Sequence, residues 1–202
     1  RGVPFVHVST DYVFDGTKSG AYVEADHPNP QSAYCRSKLA GENAVLAGGG
    51  RSLIARTAWV YSAHGQNFVK TMLHLGAERD ELRVVDDQHG CPTAASELAR
   101  CLLVAARAMA EGRSAGGVYH LAGAGETSWA GFAGAIFEHA APHWARRPSV
   151  TPITTADYPT PARRPANSRL DSSRFAADFG TRPDVWRVSL AELVQKILIS
   201  EN

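Results

Sequence analysis

A tyrosine and a lysine four residues apart are the side chains best suited to proton transfer. Tyr34 and Lys38 lie on a helix predicted over 31–47. Residues at this spacing share one helix face, so the phenol and the ammonium can point into one site. A free phenol has a pKa of about 10, and a nearby cation stabilises the phenolate, which allows proton exchange with a carbonyl oxygen near neutral pH. Taken alone, a tyrosine at the core edge beside a solvated lysine is the more frequent explanation.

A second group of polar side chains follows the first predicted strand. Ser9, Thr10 and Asp11 come directly after an apolar run over 3–8. Ligands of open parallel sheets bind beyond the carboxyl ends of the strands. A hydroxyl at that place can donate a hydrogen bond to the oxygen that gains charge when a carbonyl is reduced. The same residue types are also common in ordinary turns, so both interpretations stay open at this point.

The elements that must position these residues follow an alternating pattern. Short apolar runs alternate with helical stretches, which predicts an α/β fold with parallel strands. Strands are predicted over 3–8, 53–60, 82–85 and 117–121. Helices are predicted over 31–47, 67–77, 94–110, 128–140 and 171–179, and a last one runs to residue 198 from a capping box at Ser189. The proline-rich segment 142–165 is predicted to be irregular.

Composition excludes several classes of function. Of the 202 residues, 44% are apolar and 20% are charged, which is typical of a globular domain. A net charge of +1 gives no reason to expect nucleic acid or an anionic membrane surface as a partner. No apolar run approaches the roughly 20 residues that cross a bilayer. Three cysteines without a CxxC pair favour a reducing compartment, so a cytoplasmic location is expected.

Metal chemistry and the phosphate-binding turn of nucleotide folds have little sequence support. The eight histidines form neither HxH nor HExxH, so we expect no metal held by the protein's own side chains. A doubly wound nucleotide-binding sheet begins with a glycine-rich turn between strand and helix. That turn is not found, and the chain has no starting Met. We therefore expect a fragment whose first βαβ units precede residue 1.

The order of these motifs resembles a known family. A strand, Ser-Thr-Asp, a loop and Tyr-x-x-x-Lys occur in this order in the extended short-chain dehydrogenase/reductase superfamily. Seven blocks resemble the dTDP-4-dehydrorhamnose reductases in particular, and they lie at 8–16, 34–42, 56–61, 67–72, 87–93, 117–121 and 164–170. The resemblance covers essentially the whole chain. It implies a Rossmann-like doubly wound sheet that lacks its first βαβ units, together with a smaller α+β substrate domain.

The resemblance also implies a division of the chain and a reaction. Residues 1–61 and 95–125 would belong to the dinucleotide-binding domain, and residues 62–94 and 126–202 to the substrate-binding domain. The reaction would be the reduction, by NADPH or NADH, of the 4-keto group of dTDP-4-dehydro-L-rhamnose. Its product, dTDP-L-rhamnose, is a precursor for O-antigen and lipopolysaccharide synthesis.

Roles for six residues follow from the same resemblance. Tyr34 would donate a proton to the keto oxygen, and Lys38 would make that phenol more acidic and hold the nicotinamide ribose. Thr10 would bind the keto oxygen, and Thr10 and Asp11 would contact the sugar. Trp59 would line the sugar pocket, and Val8 would offer its backbone to the cofactor.

Several points stay open in the sequence. The phosphate preference of the cofactor, a Mg²⁺ ion at an oligomer contact and a homodimer are not decided, and the fragment alone is expected to be inactive. Arg163 and Arg164 are candidates for a diphosphate clamp or for loop solubility, and Asn167 has no assigned role. Two alternatives remain: a non-catalytic regulatory subunit of the same fold, or a reductase or epimerase for another nucleotide sugar.

Overall fold

The computed structural model describes residues 3–145, 147–160 and 164–200 and has an α/β fold. The helices are Ala33–Ala47 (α1), Phe68–Glu78 (α2), Ala95–Ala110 (α3), Trp129–Ala140 (α4), Ser173–Phe179 (α5) and Trp186–Ser200 (α6). The strands are Phe5–Thr10 (β1), Ser52–Thr57 (β2), Val60–Tyr61 (β3), Glu81–Val85 (β4), His89–Gly90 (β5), Thr93–Ala94 (β6), Gly116–His120 (β7), Thr127–Ser128 (β8), Ser149–Ile153 (β9) and Asn167–Ser168 (β10). The predicted α/β class is confirmed.

A parallel sheet with the strand order β1-β2-β7 positions the polar groups at the ends of its strands. All six residues of the central strand β2 are buried, as expected for a parallel strand covered on both faces. In the register of β1 against β2, Ser9 lies opposite Arg56 and Thr10 lies opposite Thr57. The carboxyl ends of these two strands therefore bring their last side chains together.

Helix α1 follows β1 after a long loop and carries Tyr34 and Lys38 in its first two turns. The helix begins at Ser32, whose side chain accepts a hydrogen bond from the backbone N–H of Cys35 at 3.2 Å. Only Cys35 and Glu42 are buried on this helix, so its apolar burial is small. The helix must therefore be placed against the sheet largely by polar contacts.

The largest core cluster lies around helices α2, α4 and α6. Its fully buried side chains include Phe132 and Ile136 of α4, with Leu190 and Val194 of α6. A second cluster packs α3 and α5 against the three-stranded sheet, through residues such as Cys101 and Phe175. Helix α5 thus packs on that sheet although it lies within 126–202. The proposed two-domain division stays a prediction.

The predicted strand over 53–60 is wrong at its end. Strand β2 ends at Thr57, and β3 begins at Val60 and pairs with β6 instead. Between them, Trp59 has a left-handed backbone with a φ of 48°, which ends the extended conformation.

The irregular segment predicted over 142–165 contains a strand, so that prediction is wrong in part. Strand β9 pairs in parallel with β4, and Pro152 lies opposite Val84. A proline is tolerated there because β9 pairs with β4 alone and its other edge needs no backbone donor. The predicted start of the last helix is also wrong. Helix α6 begins at Trp186, so Ser189 lies inside the helix and does not cap it.

Within the described residues, none of the helices combines the length and the hydrophobicity that crossing a membrane requires.

Candidate active site

A cavity of about 330 Å³ lies at the carboxyl ends of β1 and β2, against the first turns of α1. All six residues singled out from the sequence line this cavity: Val8, Thr10, Asp11, Tyr34, Lys38 and Trp59. Residues from strand β1, the turn that follows it, helix α1 and the segment between β2 and β3 are therefore brought to one place. Their roles in chemistry remain predictions, although their common location is a feature of the structure.

The tyrosine and lysine of α1 both face this cavity. The Nζ atom of Lys38 donates a hydrogen bond to the backbone oxygen of Val8 at 2.9 Å. Tyr34 is 56% exposed, so it does not serve as a side chain at the edge of the core. An ammonium has three donors, and the contact with Val8 uses one of them. The lysine can thus remain anchored to β1 while it binds a hydroxyl group at the mouth of the cavity.

A second tyrosine in the cavity is less suited to donate a proton. Tyr12 follows Asp11 in a 3-10 turn after β1, and its ring also lines the cavity. Burial, followed by the negative charge of Asp11, raises the pKa of Tyr12 to about 12. Its phenol is therefore a weaker acid than an ordinary tyrosine. Tyr34 is the better candidate for the proton donor because it is exposed beside Lys38.

Thr10 and Asp11 form the floor of the cavity. The Thr10 hydroxyl donates to Oδ1 of Asp11 at 3.1 Å and accepts the backbone N–H of Tyr12 at 3.2 Å. Burial raises the pKa of Asp11 to about 7, against the opposing effect of the Ser168 and Thr10 hydroxyls. The Oδ2 atom of Asp11 is buried and has no hydrogen bond of normal geometry among the described residues. The carboxyl group of Asp11 is therefore held in a largely desolvated position at the floor of the cavity.

Two stacked indole rings form one wall of the cavity. The rings of Trp59 and Trp129 lie 3.6 Å apart at an interplanar angle of 11°. The left-handed backbone at Trp59 turns its side chain toward Trp129 of helix α4. Gly90 of β5 also packs against the Trp59 ring, where an added Cβ atom would come within 2.5 Å of Cε2. The tryptophan wall therefore depends on the absence of a side chain at Gly90.

Replacing Gly90 by alanine tests this wall. Because the new methyl group would overlap the Trp59 ring, we expect the two indoles to separate and the free energy of unfolding to fall by about 1–3 kcal/mol. Near-ultraviolet circular dichroism would show loss of the coupled tryptophan signal, and thermal unfolding would show the loss of stability. Gly134→Ala is the matched control, because an added Cβ there meets nothing within 4 Å. An unchanged dichroism spectrum in Gly90→Ala would contradict the packing described.

A larger cavity, of about 710 Å³, is also lined by Trp129. Helix α2, strand β4 and the segment after β9 form it, and Trp129 lines both cavities. Arg83 and Arg164 bring positive charge to its wall. Arg163, the second candidate for a diphosphate clamp, lies outside the described residues. Of that pair, only the location of Arg164 beside the larger cavity is therefore known.

Asn167 has a structural role that sequence reasoning did not assign. Its side-chain amide donates to the backbone oxygens of Lys18 and Gly20 at 2.7 and 2.8 Å. Its Oδ1 accepts the backbone N–H of Arg169 at 3.1 Å and the Nε–H of the same residue at 2.8 Å. Asn167 thereby ties the loop before α1 to strand β10. The next residue of that strand, Ser168, is a hydrogen-bond partner of the Asp11 carboxyl.

The buried histidine and the cysteines do not take part in this site. Burial, with the nearby Arg56 cation as a smaller cause, lowers the pKa of His120 to about 4. The three cysteines are free and buried. In the part of the chain that the structure describes, no cluster of three or more His, Cys, Asp or Glu side chains could hold a metal ion. A Mg²⁺ ion at an oligomer contact stays a prediction.

One polar cluster under the site was missed in the sequence. Glu42 of α1 is only 1% exposed and forms an ion pair with Arg56 of β2 at 2.7 Å. Ser9 donates a hydrogen bond to the same carboxylate at 2.5 Å. The sequence contained a signal, since Glu42 follows Lys38 by four residues and so lies on the same helix face.

A parallel sheet ends in a threonine at this cavity, and the helix that follows its first strand brings a tyrosine and a lysine to the same place. The fold is that of a Rossmann-type α/β protein. Residues 1–199 match the family described as "RmlD substrate binding domain". The chain therefore belongs to this family, and the family membership and the fold class predicted from the sequence are confirmed.

Two curated relatives of this chain share the name dTDP-4-dehydrorhamnose reductase. The chain is 48% identical over 200 residues to the dTDP-4-dehydrorhamnose reductase of Sinorhizobium fredii, an alignment that covers 98% of this chain and 68% of that protein. It is 40% identical to the protein of the same name from Escherichia coli K12, covering 97% and 66%. The chain thus spans about two thirds of the length of the curated relatives it matches.

Solved structures show the same fold. A dTDP-4-dehydrorhamnose reductase from Clostridium acetobutylicum superposes with a TM-score of 0.86 at 42% identity, covering 95% of this chain and 65% of that one. The enzyme of the same name from Bacillus anthracis, solved in complex with NADP, has a TM-score of 0.86 at 34% identity, with the same coverage. These likenesses extend over nearly all of the described residues.

Proposed function

We propose that the chain forms the substrate-binding and proton-donating part of a reductase that converts dTDP-4-dehydro-L-rhamnose to dTDP-L-rhamnose. The observation that carries the proposal is the meeting of Thr10, Tyr34 and Lys38 at one cavity. The family membership and the names of the relatives support this substrate in particular. A non-catalytic subunit has no need of an exposed phenol beside an anchored ammonium, so the enzyme is the better explanation of this site.

Three side chains of this cavity have separate roles in the proposed reduction of the keto group. When bound, the reduced nicotinamide supplies a hydride to C4 of the sugar. Tyr34 gives its phenolic proton to the keto oxygen, which becomes the hydroxyl group of the product. The Thr10 hydroxyl, which donates to Asp11 in the present structure, turns to the same oxygen and stabilises its developing charge. The Asp11 carboxyl group, which lines the same cavity, binds a sugar hydroxyl.

The site fits the ribose end of a nicotinamide cofactor. Lys38 keeps two donors after its contact with Val8, and the two hydroxyls of a ribose are suitable acceptors. The side chain of Val8 is 41% exposed beside it and offers an apolar surface. The preference between NADPH and NADH is not decided by these contacts and is measured in the assay described below.

The nucleotide part of the substrate would occupy the larger cavity. Trp129 borders both cavities, so a sugar in the smaller one can continue past this ring into the larger one. A volume of about 710 Å³ lies within the usual range for small-molecule sites. Three arginines, Arg79, Arg83 and Arg164, line this cavity against two carboxylates, Glu81 and Asp157, and the resulting excess of positive charge favours a diphosphate. A homodimer and a cytoplasmic location stay predictions.

An assay of the full-length protein tests this function. We expect NADPH to be oxidised when dTDP-4-dehydro-L-rhamnose is supplied, with dTDP-L-rhamnose as the product identified by mass spectrometry and NMR. Parallel reactions with NADH and with a UDP-linked ketosugar measure the preference for cofactor and base. An epimerised ketosugar without cofactor oxidation would favour the epimerase alternative. Binding of NADPH without any turnover would favour the regulatory alternative.

A further inference from the structure

A buried ion pair connects the catalytic helix to the central strand of the sheet. The Nε atom of Arg56 lies 3.0 and 3.1 Å from the two carboxylate oxygens of Glu42, and its Nη2 atom lies 2.7 Å from Oε2. The side chains are 5% and 1% exposed. This bidentate geometry fixes the direction of both groups and not only their separation.

The same carboxylate is also attached to the first strand. Ser9 donates its hydroxyl to Oε1 of Glu42 at 2.5 Å, and Lys38 donates to the backbone of Val8, one residue earlier. Ser9 directly precedes Thr10, and Arg56 lies opposite Ser9 in the sheet. Glu42 therefore joins the three elements whose relative placement determines the site.

Beyond this pair, the apolar packing of the helix comes from the buried Cys35 and from Leu39, which packs against a core cluster. Tyr34, Lys38 and Glu42 follow one another at intervals of four residues, so they form one strip along α1. Glu42 is the only charged side chain buried on that helix. Because the helix buries little apolar surface, its rotation and height against the sheet depend strongly on the contact that Glu42 makes with Arg56.

The contribution of a buried ion pair to the free energy of folding does not by itself explain why this pair is present. Removing two charges from water costs about as much as their attraction returns, and apolar residues of similar volume often serve stability equally well. The Nη1 atom of Arg56 is in addition buried without a hydrogen-bond partner among the described residues. The pair is therefore better explained by what it positions than by the free energy of folding.

We propose that Glu42 and Arg56 are positioning residues, which hold α1 at the ends of β1 and β2 so that Tyr34 and Lys38 face Thr10 across the cavity. The proposal rests on the proposed reductase function. A displacement of about 1 Å at a reacting group can cost about 100-fold in rate. Loss of the pair should therefore slow the chemical step more than it weakens the binding of the sugar.

The test is Glu42→Gln in the full-length protein. The amide keeps the shape of the side chain but leaves the Arg56 cation without a counter-charge. We expect kcat with the ketosugar to fall by about 10- to 100-fold while KM changes less than about threefold. The primary isotope effect on kcat with deuterated NADPH should rise, because the slowed step is the transfer itself. Amide hydrogen exchange should become faster in α1 and stay unchanged in α3.

Val194→Ala serves as the control for lost stability, since this fully buried residue of α6 is remote from the pair. It should lower the melting temperature without changing the isotope effect. A kcat of Glu42→Gln within twofold of the wild type, or a loss matched by Val194→Ala at an equal melting temperature, overturns the proposal.

If Glu42→Gln does not fold, Arg56→Lys tests the positioning role instead. It retains the charge but loses the bidentate contact, so a fall in kcat of about threefold or more at unchanged KM supports the proposal. A kcat equal to that of the wild type overturns it. If the wild-type protein does not reduce the ketosugar, the proposed function is wrong and the positioning role falls with it. If the wild type is active and the kcat of the variant is unchanged, only the positioning role is overturned and the proposed function stands.

Discussion

Replacing Tyr34 by phenylalanine is expected to lower kcat of the full-length protein by about 10²- to 10⁴-fold. The substitution removes the phenolic proton that the keto oxygen needs, and general acids contribute about this much to rate. The ring remains, and the contact of Lys38 with Val8 does not involve the phenol. Affinity for NADPH should therefore change by less than about threefold. Steady-state kinetics with the ketosugar and a fluorescence titration with NADPH measure the two effects.

Tyr119→Phe is the control for the loss of a tyrosine hydroxyl. Tyr119 of β7 donates a hydrogen bond to Asp178 at 2.8 Å, packs in the core cluster between the sheet and α5, and lines neither cavity. We expect its kcat to remain within about twofold of the wild type. Full activity in Tyr34→Phe would mean that another group donates the proton, and the assignment of this site would then be wrong.

Replacing Asp11 by asparagine is expected to stabilise the protein at pH 8 and to leave its stability nearly unchanged below pH 4. Burial raises the pKa of Asp11 from 3.8 to about 7, so the folded state binds this proton more tightly than the unfolded state does. The stabilising effect of that proton is complete below about pH 4 and is lost as the pH rises through 7. At about 1.4 kcal/mol for each pKa unit, the gain on removing the charge is at most about 4 kcal/mol.

Chemical denaturation of both proteins across this pH range measures the difference. Asp26→Asn is a control of opposite sign, because Lys18, through its hydrogen bond, holds the pKa of Asp26 below its usual value. The stabilising effect of the ionised Asp26 is complete above the usual pKa of an aspartate and is lost as the pH falls through its lowered pKa. Asp26→Asn should therefore lose stability at neutral pH. A constant difference between Asp11→Asn and the wild type at all pH values would show that the carboxyl of Asp11 is not titrating as described.

The Asp11 and Tyr34 substitutions concern residues that the sequence alone singled out. The helical spacing of Tyr34 and Lys38, and the place of Thr10 after an apolar strand, depend on local geometry that short sequence patterns carry. These local patterns alone left structural explanations open, and only the order of the motifs, through the family resemblance, singled out the six residues that the structure brings to one cavity.

Other features depend on tertiary contacts and could not be predicted in this way. The pairing of Glu42 with Arg56 requires the register of a helix against a strand, which no local pattern contains. Strand β9 was missed because prolines normally argue against a strand, and only its edge position makes Pro152 acceptable. The left-handed turn at Trp59 results from packing against Gly90 and Trp129 and not from a glycine at that position.

The parallel pairing of β4 with β9 has a consequence for the kinetics of folding. Glu81 and Thr151, whose side chains are hydrogen-bonded across this pair, are 70 residues apart in the chain. The entropy of closing so long a loop must be overcome before the pairing stabilises anything, and high contact order slows folding. Helices such as α1 can form from nearby residues well before that. We therefore expect the wall of the larger cavity to be among the last parts to assemble, so that nucleotide binding during refolding would lag behind the recovery of helical circular dichroism.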